Sequence, residues 1–314
     1  MDCRWGVTTN GNVLVYSKNG VTWTGIPGSL TVFYSNVYSV AYSLNRDMWT
    51  AAGNGAKPLV YSKNGFTWTK SSVSIFTTVG SSVAYSEARY LWTATGYGGG
   101  NTLAYSTDGI MWSKGTNIFT IQGMKTAYGD KHDIWTVAGK GTNSLGYSKD
   151  GVNWTASPSG KIALSSQGYY VAYSTHQDLW IAGGTDTPTG NSLAYSTDGF
   201  NWIGIAGSGA IFLYCYCVTY SKSQDIWVSG GANAALSTKT FAYSKNGYIW
   251  TGISGSSSFM TPYDIAYNTI INIWTAVGVY GNKLAYSKDG TTWTAVVGNN
   301  ALFNNTGYGV ATNT

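Results

Sequence analysis

Tyr16-Ser17-Lys18-Asn19-Gly20-Val21-Thr22-Trp23 returns, with variations, six more times along the chain. Its glycines stand at Gly20, Gly65, Gly109, Gly151, Gly199, Gly247 and Gly290. Its tryptophans stand at Trp23, Trp68, Trp112, Trp154, Trp202, Trp250 and Trp293, spaced by 45, 44, 42, 48, 48 and 43 residues. A second tryptophan follows a Val-Ala-Tyr-Ser-like stretch, at Trp49, Trp92, Trp135, Trp180, Trp227 and Trp274, with Trp5 in the same phase. Together the two series use all 14 tryptophans. A period of this length marks a repeat architecture, in which each unit buries its apolar face only against its neighbours.

Inside a unit the residues alternate as strands do: Val40-Ala41-Tyr42-Ser43, Trp49-Thr50-Ala51-Ala52-Gly53, Leu59-Val60-Tyr61-Ser62 and Phe66-Thr67-Trp68-Thr69. Four short strands per unit predict an all-β propeller with seven four-stranded antiparallel blades, in one domain spanning 1–314. The Asn-Gly or Asp-Gly between the third and fourth strands reads as a tight hairpin with both central residues at positive φ. The ends predict how the ring closes. In the later units the first strand opens nine residues before its tryptophan, as from Val40 to Trp49. Counting from Val310 through the C-terminus to Trp5 gives the same interval. On that count the C-terminal strand completes the N-terminal blade and removes an exposed sheet edge.

The composition agrees. Of 314 residues 43% are hydrophobic, 15% aromatic and 10% charged, with 41 glycines and 5 prolines, which suits strands joined by tight turns and excludes charged coiled coils and disorder. The longest apolar run, Ala210 to Val218, is too short to cross a bilayer, and no basic segment followed by an apolar one opens the chain. The expectation is a cytoplasmic monomer away from membranes. Cys3, Cys215 and Cys217 fit no disulfide, redox or zinc spacing and predict reduced thiols.

Ser17-Lys18-Asn19-Gly20-Val21-Thr22-Trp23, Ser106-Thr107-Asp108-Gly109-Ile110-Met111-Trp112 and their equivalents resemble the Asp-box (BNR repeat) of sialidase-like propellers, Ser-x-Asp-x-Gly-x-Thr-Trp. Each box here is one residue shorter, and Asn replaces Asp in three of them. The resemblance is therefore to a broad propeller class and not to the sialidases. It implies a structural role for Asn19, Asn64, Asp108, Asp150, Asp198, Asn246 and Asp289, each bonding turn amides above its tryptophan. It also implies that a ligand site lies on the upper face, away from the boxes.

The chemistry of sialidases, which resemble one another in an arginine triad for the substrate carboxylate, is excluded. Arg4, Arg46 and Arg89, like the sole glutamate Glu87, all fall in lower-face turns. A glycoside hydrolase needs two carboxylates across the scissile bond, and the upper face offers only Asp186 and Asp264, two blades apart. His132 and His176 read as solvated turn residues, and no metal-ligand spacing, phosphate loop or dinucleotide fingerprint is present. No enzyme, metal or cofactor is expected.

Net charge is +5, and it divides unevenly by face. The box turns sum to +1 and the other lower turns to −2, which leaves +6 on the upper loops and links. On that face Asn12, Lys57, Asn101, Asn143, Asn191, Lys239 and Asn282 recur four residues before each box tyrosine. With Lys140 and Lys283 they are the candidate ligand-binding residues. The competing reading of the asparagines is turn stabilisation. Phe33, Phe76, Phe119, Phe212, Phe259 and Phe303 in the interblade links read as plugs between blades. The sequence thus points to a non-enzymatic binding or scaffold propeller recognising a glycan or an acidic protein. Nucleic acid is disfavoured by the thin, arginine-free footprint. A hydrolase using Asp186 or Asp264, and a repetitive propeller with no ligand, stay open.

Overall fold

The computed structural model describes residues 2–6 (by backbone), 13–185, 190–232, 239–256, 260–296 and 306–311. Regular structure is almost wholly antiparallel sheet. Among the described residues helix amounts to short turns in the interblade links, such as Ser29–Thr31, Gly160–Ala163 and Ser208–Ala210. No helix among the described residues is long and apolar enough to cross a membrane.

Six blades are each an uninterrupted four-stranded meander from one stretch of chain. Blade I is Val37–Ser43, Met48–Gly53, Leu59–Ser62 and Thr69–Lys70; blade II is Val79–Ser86, Leu91–Tyr97, Leu103–Ser106 and Ser113–Lys114. Blade III is Gln122–Gly129, Ile134–Lys140, Leu145–Ser148 and Thr155–Ala156, and blade IV is Gln167–Ser174, Leu179–Thr185, Leu193–Ser196 and Ile203–Gly204. Blade V is Tyr214–Ser221, Ile226–Ala232, Phe241–Ser244 and Thr251–Gly252, and blade VI is Thr261–Asn268, Ile273–Val279, Leu284–Ser287 and Trp293–Ala295.

The expectation of seven four-stranded blades is corrected to these six. Beside them stands a composite sheet in the order Gly307–Ala311, Asp2–Gly6, Leu14–Ser17, Thr24–Gly25. The reason is that this sheet takes its strands from two separate stretches of chain, so it is not a self-contained meander like the other six. The ring closure expected there is represented by a backbone register alone, Arg4 opposite Val310 and Cys3 opposite Ala311. Gly307–Ala311 packs between the innermost strands of blades VI and I.

The core lies between blades, as the alternation of bulky and small faces requires. Met48, Ala52 and Leu59 of blade I meet Phe76, Val83, Trp92 and Trp112 of blade II and the link before it in one cluster, and the pattern repeats around the molecule. Phe33, Phe76, Phe119 and Phe212 are buried plugs in these seams; Phe259 and Phe303 lie outside the described residues. Cys215 and Cys217 are free, buried thiols.

The box turns differ from the expected hairpin. The glycine has positive φ, 72° at Gly20 and 74° at Gly151, but the Asn or Asp before it does not. Its side chain instead accepts the next two amides. Asp108 Oδ1 takes Ile110 N at 2.8 Å and Met111 N at 2.8 Å, while Ser106 Oγ takes Gly109 N at 2.8 Å. Asn19, Asn64, Asp150, Asp198, Asn246 and Asp289 do the same. The turn runs through the tryptophan, so the fourth strand of blade I begins at Thr69 and not at Phe66.

Candidate functional site, an axial tyrosine-lined cavity

The innermost strand of every blade carries a β-bulge at one position, immediately before the residue at which regular pairing resumes. The unpaired residues are Tyr38, Ser81, Met124, Tyr169, Tyr216 and Tyr263, and Tyr308 occupies the same place in Gly307–Ala311. A bulge breaks the two-residue alternation and re-aims one side chain. Here it turns these residues toward the axis, where they line a cavity of about 440 Å³ together with Val79, Tyr97, Gln122, Lys125, Lys140, Tyr170 and Asp264. The lining comes from the starts of first strands and the ends of second strands, so the cavity opens on the face away from the box turns.

The lining is lopsided. Five tyrosines form an unbroken arc: Tyr169 to Tyr216 with centroids 5.3 Å apart, Tyr216 to Tyr263 at 4.9 Å, Tyr263 to Tyr308 at 5.4 Å and Tyr308 to Tyr38 at 5.0 Å. Burial, reinforced by neighbouring hydroxyls, pushes Tyr169 up to about 12 and also raises Tyr216 and Tyr263, so these three stay neutral donors. Opposite the arc, Ser81 and Met124 leave a polar gap in which Gln122 Nε2 donates to Ser81 Oγ at 2.8 Å.

Two lysines flank this gap. Lys125 Nζ lies 4.5 Å above the Tyr170 ring and Lys140 Nζ 5.1 Å above the Tyr169 ring, both at cation–π distance. Burial lowers the Lys140 pKa. Asp264 is 3% exposed. Its Oδ1 accepts Tyr170 Oη at 2.8 Å and Ile265 N at 3.0 Å, and its Oδ2 accepts Val310 N at 2.9 Å. Burial raises its pKa, opposed first by the charge of Lys125. Asp264 is thus a tie between the innermost strands of blades IV and VI and Gly307–Ala311.

Of the residues singled out from the sequence, Lys140 and Asp264 line the cavity, and the other described candidates do not. Asn101 donates to Ile75 O at 3.1 Å and Gly99 O at 3.0 Å, and Asn143 donates to Ile118 O at 2.6 Å. Both hold an interblade link. Lys57 Nζ donates to Ser72 O at 2.9 Å. Asn191 lies against Gly204, where a Cβ would come within 2.2 Å of its Nδ2, and the Lys239 stem lies against Gly252 in the same way. Asn282 and Lys283 are half-buried where the loop re-enters Leu284–Ser287. Asn12 and Asp186 lie outside the described residues. His132 lies in a partly exposed turn, where its Nε2 also meets Asp178 Oδ1 of the next blade at 2.9 Å.

The tyrosine arc escaped the sequence reading, although a signal was present. Its members and their equivalents stand eleven residues before the second tryptophan of each unit, as Tyr216 does before Trp227. Strict alternation assigns that position no common direction, and only the bulge sends it to the axis.

No family model and no curated protein matches the chain. Solved structures do. A protein from Lactobacillus plantarum aligns with TM-score 0.66 at 12% identity over 99% of each chain. The GH74 xyloglucanase of Xanthomonas campestris aligns with TM-score 0.64 at 12% identity, over 91% of this chain and 51% of its own. The GH74 enzyme of Niastella koreensis aligns with TM-score 0.60 at 16% identity over 93% of this chain, which spans 44% of that enzyme. These likenesses show a β-propeller fold.

Proposed function

We propose that the protein is a non-enzymatic binding propeller and that its axial cavity holds a ring-shaped polar ligand such as the end of a glycan. The observation that carries this reading is the continuous tyrosine arc. Exposed aromatic faces with hydroxyls at their edges offer apolar contact and hydrogen bonding at once, and a concave site with few polar groups is the usual form of a small-ligand site. The cavity opens on the face that the charge partition marks as basic. The regular amide bonding of the box turns supports reading the repeats as shortened Asp-boxes with a structural role.

Hydrolysis is the weaker reading, although two of the similar structures are GH74 enzymes. Asp264 is the one carboxylate lining the cavity among the described residues, and it is already bonded to three donors. A glycosidase needs a free pair. The test is a glycan array followed by titration of each hit against Tyr216→Ala and Asn101→Ala. Tyr216→Ala is expected to weaken binding by about tenfold or more, and Asn101→Ala to leave it unchanged once folding is confirmed. Hits that bind Tyr216→Ala as well as the parent overturn the axial site. Release of reducing ends from a bound polysaccharide overturns the non-enzymatic part.

A further inference from the structure

The two cavity lysines are not equivalent. Lys125 shares its charge with Asp264, whose pKa it lowers. Lys140 has no carboxylate partner among the described residues, and Tyr169 supports it from below. It stands at the end of its strand directly opposite Gln122, so its ammonium and the Gln122 amide border the same gap in the aromatic lining. A partly buried ammonium facing a cavity without a counter-ion is poised for an anion, because pairing restores part of the solvation that burial removed.

The surroundings narrow that anion. Among the described residues no arginine lines the cavity, and one unpaired ammonium balances a single negative charge. That suits a carboxylate better than a phosphate, for which arginine forks or several cations are usual. Tyr169, at one end of the arc, has Lys140 Nζ 5.1 Å from its ring centroid, so a ring laid on that end has its substituents near the ammonium.

Resting on the axial-site reading above, we infer that the cavity selects a sugar bearing one carboxylate, a uronic acid residue. Its ring lies on the arc from Tyr169 to Tyr308, and its carboxylate meets Lys140 Nζ with Gln122 beside it. Lys140 is then the residue that sets acidic over neutral specificity, and the tyrosines supply affinity common to both.

The experiment is a calorimetric titration of the full chain with methyl glucuronide, methyl glucoside and glucose 6-phosphate at low salt. Parent, Lys140→Gln, Lys140→Arg and Tyr216→Ala are compared, each first checked for an unchanged melting curve. The parent is expected to bind the glucuronide about tenfold more tightly than the glucoside, the size of one partly desolvated ion pair. Lys140→Gln brings the two within about twofold by weakening the glucuronide alone, Lys140→Arg retains most of the preference, and Tyr216→Ala weakens both. Equal binding of glucuronide and glucoside by the parent, with both lost in Tyr216→Ala, overturns the acidic specificity and leaves the axial site standing. Tighter binding of glucose 6-phosphate than glucuronide overturns the carboxylate assignment. A preference that survives Lys140→Gln overturns the role of Lys140. Absence of binding by both glucuronide and glucoside overturns this proposal, while the array hits decide the axial site separately.

Discussion

Replacing Tyr90 by Asp should stabilise the protein, because Tyr90 interrupts a bonding pattern that the other blades share. The residue before each second strand has positive φ: 43° at Asp47, 51° at Tyr90, 53° at Asp133, 53° at Asp178, 46° at Asp225 and 53° at Asn272. In five of the six its side chain accepts the hydroxyl of the tyrosine five residues earlier, as in Tyr42 to Asp47 at 2.6 Å and Tyr173 to Asp178 at 2.6 Å. Three of these acceptors also receive a side chain from the preceding blade: Arg89 on Asp133, His132 on Asp178 and Gln177 on Asp225. At Tyr90 both donors are stranded. Tyr85 Oη and Arg46 Nε are buried without a hydrogen-bond partner among the described residues.

An aspartate there gives both donors an acceptor. Each restored hydrogen bond contributes about 0.5–1.5 kcal/mol net, and an exposed ion pair adds about 0–1 kcal/mol. Asp also tolerates positive φ better than a bulky side chain. Tyr90 is 56% exposed, so its own packing is a small loss. After that loss the net gain is about 1–3 kcal/mol. With an unfolding entropy of about 2.1 cal/mol/K per residue, that raises the midpoint by about 2–5 °C. Differential scanning calorimetry reads the shift, and a cycle with Tyr85→Phe isolates its cause. In the parent, Tyr85→Phe removes an orphaned donor and should be neutral or stabilising. In the Tyr90→Asp background it should cost about 1 kcal/mol. No gain from Tyr90→Asp, or an equal effect of Tyr85→Phe in both backgrounds, refutes the argument.

The remaining expectations concern the boxes, the buried carboxylate and the thiols. Burial alone would raise the Asp150 pKa, but the Asn153 and Val152 amides outweigh it and hold the group down to about 2, and Asp289 is held there likewise. Because the folded value lies below the unfolded one, their stabilisation is complete above about pH 4 and is lost as pH falls through about 2. Asp150→Asn should therefore flatten the fall of the denaturant midpoint between those limits, and an unchanged acid profile counts against this account. Asp264→Ala leaves Val310 N and Tyr170 Oη without their acceptor and should cost about 2–5 kcal/mol in urea unfolding, with Asp264→Asn milder; a loss below about 1 kcal/mol would show that the tie is dispensable. In a Cys3→Ser variant Cys215 and Cys217, whose pKa values burial raises, should resist a thiol reagent until denaturant unfolds the chain, and prompt labelling of the native protein would contradict their burial.

The sequence by itself determined the repeat, the strand class and the side-chain bonding of the Asn-Gly and Asp-Gly turns, because these are local. A tryptophan, a glycine at positive φ and a side-chain acceptor for two amides act within a few residues, and each recurs in the same order. It also placed the link phenylalanines between blades, since a regularly spaced bulky residue in a short connection has nowhere else to be buried. It misjudged the turn geometry, because the Asn or Asp side chain does the work there that a second positive φ would do in an ordinary hairpin. It likewise misjudged the number of blades, since six stretches of the chain, not seven, form an uninterrupted four-stranded meander. Only the tertiary structure decided the site. Tyr38, Tyr169, Tyr216, Tyr263 and Tyr308 are far apart in sequence and become neighbours because a bulge in each strand turns one side chain to a common axis. Asn101 and Asn143, conspicuous in the sequence, are spent on link carbonyls that no local pattern identifies. Which polar groups are free to meet a ligand depends on what the neighbouring blade supplies, and that is fixed only when the blades pack.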